Sequence, residues 1–249
     1  MEKWHDRVAL VTGASSGIGW AVASKLASCG VKVIACARNY EKLQELEQLG
    51  HPNQITPIKC DLTSEEEILA MFERISKDHG GVDICINNAG LTHSAPLLSS
   101  KTENWKDILD VNVLALCICT RESIKQMKKR KIDDGFIINI CSMAGHRMLK
   151  SPNNHFYMAT KQMVKALTEG VHNELRAMKS NIRVTQISPA VTETEFFVRG
   201  LGSKVAEQIF KANPPLQANN IADAVIYALT QPPHVQICDI LIKPTCSDN

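Results

Sequence analysis

The chain carries almost no excess of either charge. Its 28 lysines and arginines stand against 26 aspartates and glutamates, a formal net charge of +2 over 249 residues. A dedicated nucleic-acid binder or membrane-surface protein would show a larger basic surplus. No apolar run reaches the 18 residues of a membrane-spanning helix, so no membrane span is expected. The segment Met1-Glu2-Lys3-Trp4-His5-Asp6-Arg7 lacks the apolar core of a secretory signal, and a cytoplasmic location is expected, where thiols stay reduced. There are nine cysteines but no Cys-x-x-Cys pair, so neither structural nor catalytic zinc has a ligand set and no metal is expected. Cys36, Cys60, Cys85 and Cys141 sit near the ends of apolar runs and read as small core residues. Linkers, repeats and low-complexity tracts are missing too, which predicts a single domain over residues 1–249.

What is present is an alternation of short apolar runs and amphipathic stretches. The runs are Val8–Val11, Val31–Ala37, Ile55–Cys60, Val82–Ile86, Phe136–Ile140, Ile182–Ile187 and Ile237–Ile242. They are rich in Val and Ile and nearly continuous, the pattern of strands buried on both faces of a parallel sheet. Helical stretches fall at roughly 17–29, 40–49, 64–79, 103–130, 155–178 and 219–230. The pattern predicts an α/β fold: a doubly wound, seven-stranded parallel sheet with helices on both faces. The least regular part, 189–215, is long enough to be a substrate lid. In such sheets ligands bind at the carboxyl ends of the strands, where the strand order reverses.

Strand one runs into Thr12-Gly13-Ala14-Ser15-Ser16-Gly17-Ile18-Gly19 and then a helix. Glycines allow a sharp turn and a close approach of pyrophosphate, and the helix N-terminus offers amides and a positive dipole end. No Gly-Lys-Ser/Thr follows, which disfavours phosphotransfer. Strand two ends without an acid for a ribose 2′-hydroxyl, which also counts against an adenosylmethionine methyltransferase. It has Arg38 and Asn39 instead, and a guanidinium suits a 2′-phosphate. Tyr157 and Lys161 lie one helical turn apart. The lysine ammonium is expected to lower the tyrosine pKa toward useful acid–base strength. Ser142 closes strand five, Asn88, Ala89 and Gly90 follow strand four, and Asn112 stands in an apolar helix where burial would demand partners.

In this order, over nearly the whole length, these motifs resemble the short-chain dehydrogenase/reductase family in its form of about 250 residues. The resemblance implies a Rossmann-type domain that uses NADP and moves a hydride. It implies a tetrad of Asn112, Ser142, Tyr157 and Lys161: Tyr157 as acid or base, Ser142 holding the substrate oxygen, Lys161 on the nicotinamide ribose and Asn112 holding a relay water. Gly13, Ser15, Ser16, Gly17, Ile18 and Gly19 would face the pyrophosphate. Arg38 and Asn39 would face the 2′-phosphate, and Asp61 and Leu62 the adenine. Asn88, Ala89 and Gly90 would line the ribose, and Pro189, Val191, Thr192 and Thr194 the carboxamide. Departures from the family pattern are Cys141 before Ser142, Ala190 after Pro189, and a gap from Ser142 to Tyr157 wider by about two residues. The features Ser142-Met143-x-Gly145-His146-Arg147 and Asn112-Val113-Leu114-Ala115-Leu116 resemble an animal branch of the family. That implies lipophilic carbonyl or alcohol substrates, such as ketosteroids or the isoprenoid farnesol. It further implies a homodimer or homotetramer formed through the helices at 103–130 and 155–178. The alternative, a catalytically silent nucleotide-sensing or partner-binding protein, would usually lack the tyrosine or the lysine. His93, His146 and His155 read as structural or rim residues beside the pocket.

Overall fold

Seven runs rich in Val and Ile become strands because β-branched side chains suit a pleated surface buried on both sides. They are β1 (Val8–Thr12), β2 (Lys32–Ala37), β3 (Ile55–Lys59), β4 (Ile84–Asn87), β5 (Phe136–Ile140), β6 (Arg183–Pro189) and β7 (Asp239–Ile242). The structure is a computed structural model that describes residues 1–49, 54–148, 153–212 and 214–245. All pairings are parallel, in the order β3-β2-β1-β4-β5-β6-β7. The order reverses between β1 and β4, and the crevice above that point is where a doubly wound sheet binds its ligand.

The helices are α1 (Gly17–Ser28), α2 (Tyr40–Leu49), α3 (Glu65–His79), α4 (Thr102–Leu109), α5 (Ala115–Lys129), α6 (His155–Ala177), α7 (Glu195–Leu201), α8 (Ser203–Ala212) and α9 (Ala218–Thr230). The strand period of two sorts the core into layers. Ala9 and Val11 of β1 pack with α1 and α9 residues such as Leu26 and Val225. Val8 and Leu10 pack on the other face with Ile68 and Phe72 of α3 and Cys119 of α5. Cys36, Cys60, Cys85 and Cys141 are all buried free thiols, as expected.

Two expectations need correction. The stretch 103–130 is not one helix: a π-helical turn, Asp110–Leu114, divides it. Such turns arise where a side chain demands a local change of pitch, and Asn112 lies inside this one. The segment 189–215 is not irregular either, since most of it forms α7 and α8.

One row of polar side chains crosses the sheet just below its carboxyl edge. Asn87, Asn139, Gln186 and Asp239 occupy the same register on β4, β5, β6 and β7. Asn87 Nδ2 donates to Asn139 Oδ1 at 2.8 Å and to Thr120 Oγ1 at 2.9 Å, while Asn139 Nδ2 donates to Thr168 Oγ1 at 2.9 Å. The row thus fastens α5 and α6 to the sheet directly beneath the site.

Candidate active site

The glycine turn is built for close approach. Gly13 has φ +67°, a left-handed conformation that favours glycine. A Cβ on Gly19 would sit 2.4 Å from both the Gly13 carbonyl oxygen and Asn88 Nδ2. Helix α1 begins at Ser16, whose side chain makes no capping bond, and its first turn carries no acid. Its leading amides and dipole therefore face outward beside Ser15 and Ile18, a ready anion site.

Behind the turn, Thr12 Oγ1 accepts the Asn88 and Ala89 amides, each at 3.0 Å. Asn88 Nδ2 donates to the Thr12 carbonyl at 2.8 Å and to the Gly13 carbonyl at 3.3 Å. Asn88, expected to line a ribose with its side chain, instead braces the glycine turn with its amide. Thr12 was legible only as a hydroxyl just before the first glycine. A small cavity lined by Thr12, Leu62, Ala89, Val111 and Leu116 opens between β1 and β4. It brings Leu62 and Ala89 together as the motifs required.

Arg38 and Asn39 are both exposed at the end of β2. Asn39 Oδ1 accepts the Lys42 amide at 3.1 Å and so starts α2. The Thr63 backbone amide holds the Asp61 carboxyl below its ordinary value, and the Thr63 hydroxyl and the Arg38 charge add to this. Arg38 and Asp61 are therefore close enough to share one end of the cleft.

The four catalytic candidates converge from three elements. Ser142 follows β5 and caps a 3-10 turn, Met143–Gly145, with its Oγ accepting the Ala144 amide at 3.1 Å. Tyr157 and Lys161 project from the first turns of α6. Lys161 is buried, its Nζ donates to the Ile140 carbonyl at 3.0 Å, and it stands 5.8 Å from the centre of the Tyr157 ring. A Cβ on Gly90 would lie 3.4 Å from Asn112 Oδ1 and 3.7 Å from Lys161 Nζ, so Gly90 gives the two room.

The expected lowering of the Tyr157 pKa does not hold. Burial pushes the phenol above its ordinary value, and a hydrogen bond with Ser142 only partly opposes that. Burial also pushes the Lys161 ammonium down. Desolvation of the ring dominates here.

Asn112 is buried within the π turn. Its Oδ1 accepts the Leu91 amide at 2.8 Å, and its Nδ2 donates to the Leu91 carbonyl at 3.0 Å and to Thr160 Oγ1 at 3.1 Å. Both amide protons are thus engaged by protein. Thr160 Oγ1 in turn donates to the Tyr157 carbonyl at 2.7 Å. The π turn ties the loop after β4 to the helix that bears Tyr157, and the structure assigns the Asn112 side chain that bracing task.

Pro189 ends β6, and Val191 and Glu193 bond with Leu216 across an isolated bridge centred on buried Thr192. Thr194 precedes α7, and a Cβ on Gly17 would meet its methyl at 3.0 Å. From there α7 lies over the site: the Phe196 ring centre is 5.5 Å from that of Tyr157, and Phe197 and Phe210 continue the aromatic series. On α8, Val205 is 42% exposed and Ala206 is buried. Met148 is 55% exposed. Residues 149–152 of the loop before Tyr157 lie outside the described residues.

The comparisons agree with this geometry. Residues 7–200 match the short chain dehydrogenase family. The chain is 51% identical over 252 residues to dehydrogenase/reductase SDR family member 11 of Bos taurus, covering 98% of each chain. It is 38% identical over 249 residues to farnesol dehydrogenase of Aedes aegypti, again covering 98% of each. Among solved structures, the closed form of serine dehydrogenase complexed with NADP+ matches with a TM-score of 0.89 and 30% identity, over 97% of this chain and 96% of that one. This chain belongs to the short-chain dehydrogenase family and is an oxidoreductase of that family.

Proposed function

We propose that the protein is an NADP(H)-dependent alcohol dehydrogenase and carbonyl reductase that interconverts a lipophilic ketone or aldehyde and its alcohol. The observation that carries this is the convergence of Ser142, Tyr157 and Lys161 beneath an aromatic cover. The residues present fit the cofactor. The uncapped α1 N-terminus suits a pyrophosphate, the Gly19 approach leaves room for one, and the exposed Arg38 suits a 2′-phosphate. When bound, the nicotinamide supplies or accepts the hydride.

The chain's own residues handle the proton. Ser142 orients the carbonyl oxygen against Tyr157. Tyr157 then donates its phenolic proton as the oxygen gains charge, and takes it back in the reverse direction. Burial keeps the phenol protonated through neutral pH, which suits the reductive direction. Lys161, held by the Ile140 carbonyl, supplies positive charge beside a developing phenolate. The lid over residues 189–215 supports an apolar substrate, because Phe196 rests on Tyr157 and each buried methylene contributes about 0.8 kcal/mol. The names of the relatives point to the same class, one of them being a farnesol dehydrogenase. Leu114 and Met163, exposed apolar residues beside and on the two long helices, support self-association as a homodimer or homotetramer.

The test is turnover by wild type and Tyr157→Phe on a series of ketones of rising chain length, with NADPH and NADH. The variant should lose about 10²–10⁴-fold in kcat while still binding NADPH. Wild-type-like turnover in the variant would end this mechanism. Flat efficiency along the series would remove the lipophilic substrate.

A further inference from the structure

The turn that carries Ser142 is tied to the far edge of the sheet by one side chain. His146 follows that turn, and its backbone amide bonds back to the Met143 carbonyl at 3.0 Å. Its imidazole crosses to β6 and β7. Nε2 lies 3.0 Å from Asp239 Oδ2 and 3.0 Å from Ser188 Oγ. Among the described residues, no other side chain of 142–148 bonds to either strand.

The group it meets is a largely buried polar cluster in which Gln186 Oε1 has no hydrogen-bond partner among the described residues. Ser188 Oγ donates to Asp239 Oδ1 at 2.9 Å, and Gln186 Nε2 donates to Asp239 Oδ2 at 2.9 Å and to Ser188 Oγ at 3.0 Å. Ser188 and Gln186 are buried, at 0% and 2% exposure. The tautomer of His146 follows from the bonds. The Asp239 carboxylate only accepts, so the 3.0 Å contact with it places a hydrogen on Nε2, which also lies 3.3 Å from Gln186 Nε2. Asp239 thus gathers three donors, and only the one from His146 comes from outside β6.

Burying such groups is unfavourable unless they are hydrogen-bonded, and the His146 contact supplies a donor to Asp239. Strands β6 and β7 do not need it to stay together, because their backbones already pair from Gln186–Asp239 to Pro189–Ile242. What it adds is a fixed place for the Ser142 turn. The same turn meets α6 on its other side, where Cys141 Sγ donates to the Lys161 carbonyl at 3.2 Å and a Cβ on Gly145 would lie 2.9 Å from that oxygen. Ser142 is held between the helix bearing Tyr157 and a strap anchored on Asp239.

We infer that His146 is a positioning residue which, through Asp239 and Ser188, sets the Ser142 hydroxyl against Tyr157. This rests on Ser142 orienting the substrate oxygen. A shift of about 1 Å in such a group costs on the order of a hundredfold in rate.

The experiment compares wild type, His146→Ala, His146→Gln and Asp239→Asn. Glutamine places an amide donor where Nε2 stood, so it is the rescuing variant. Hydrogen exchange at the amides of residues 143–146 reports the turn without any turnover. Exchange there should rise by roughly tenfold in His146→Ala and return toward wild type in His146→Gln. With a ketone and NADPH, kcat should fall by about tenfold to a hundredfold in the alanine variant, with NADPH affinity unchanged and partial recovery in the glutamine variant. Should His146→Ala fail to fold, Asp239→Asn is measured for the same two effects. Unchanged exchange and unchanged kcat would overturn the inference. So would parallel losses of thermal stability, NADPH affinity and kcat with no rescue, which would mark a merely structural histidine. Absence of turnover in the wild type would instead refute the proposed function, and the exchange data would still judge the strap.

Discussion

Replacing Gly200 by alanine sets two effects of opposite sign against each other. Gly200 lies inside α7, where alanine favours the helix by about 0.8–1.0 kcal/mol. A Cβ there would sit 2.4 Å from Thr92 Cγ2 and 2.7 Å from the Thr92 carbonyl oxygen. The methyl could rotate away, but the carbonyl is backbone and cannot. Thr92 itself is 4% exposed, and it follows Leu91, whose two backbone groups are both held by Asn112. Retreat of Thr92 would break that pair, so α7 must yield. Ordinary contact needs roughly 3.5 Å, a displacement of about 1 Å. Overpacking of this kind costs about 1–3 kcal/mol, which exceeds the helix gain.

The cost falls on closure of the cover and not on the whole fold. Thermal stability should therefore move by only a few degrees, at about 2–4 °C per kcal/mol for a chain of this size. The Phe196–Tyr157 contact should loosen, and kcat/KM for a lipophilic ketone should fall by about tenfold to a hundredfold. Trypsin cleavage after Arg199, an exposed residue of α7, reads the same displacement without catalysis and should quicken. Wild-type kcat/KM together with unchanged cleavage would refute the argument, since it would mean that α7 does not dock through Gly200.

Arg38→Asp should lower kcat/KM for NADPH by about tenfold to a hundredfold, the worth of one charge-assisted bond, and should narrow the ratio of NADPH to NADH efficiency; an unchanged ratio would leave Arg38 a surface charge. Trp4 is wholly buried, donates to the Leu229 carbonyl at 2.8 Å and packs edge-on to Phe136, so Trp4→Ala should cost about 3–5 kcal/mol in urea unfolding with kinetic constants preserved. A hydrogen bond with Cys60, together with burial, raises the Cys36 thiol, and burial raises those of Cys85, to about 12, and Cys119. Their unfolded forms ionise near 8.5, so the stability linked to them is full below that pH and is lost as pH rises toward the folded values. Each contributes a slope of about 1.4 kcal/mol per pH unit, and Cys85→Ala should flatten the alkaline decline measured by chemical denaturation.

The sheet was legible because its strands are buried on both faces and therefore nearly uniform in Val and Ile. Strand ends moved by a residue or two, as in Ile182–Ile187 against Arg183–Pro189, because polar residues such as Gln186 and Ser188 belong to the ladder as well. The glycine turn and the Tyr157–Lys161 spacing were legible for a similar reason: each is local. The π turn was not, since its cause is a partner 21 residues away, Leu91, that no helical periodicity records. The helices of the cover were half legible. Phe197 and Leu201 repeat at helical spacing, whereas the need for a glycine at position 200 comes from its contact with Thr92.

Individual roles were harder to read than positions, and the reason is competition for hydrogen bonds. Asn112 and Asn88 stand where the motifs required, but their amides are engaged by the backbone of Leu91 and of the glycine turn. A sequence states which donors exist and not which acceptors reach them first. The same holds for Tyr157, where proximity to a lysine suggested a lowered pKa and burial raised it instead. Charge pairing is legible from spacing, whereas desolvation depends on what the rest of the chain lays over the group, here Phe196 from 39 residues downstream. Phe196 lies 5.5 Å from the Tyr157 ring, centre to centre, so if it supplies the desolvation, opening the cover should relieve the shift. Phe196→Ala should admit water to Tyr157 and bring its pKa back toward the ordinary value near 10. In pH titrations of the phenol absorbance, difference spectra against the matched Tyr157→Phe background would isolate this tyrosine. An ionisation that stays as high in Phe196→Ala as in wild type would show that desolvation comes from elsewhere in the fold, and the cover would then have no part in setting the acid.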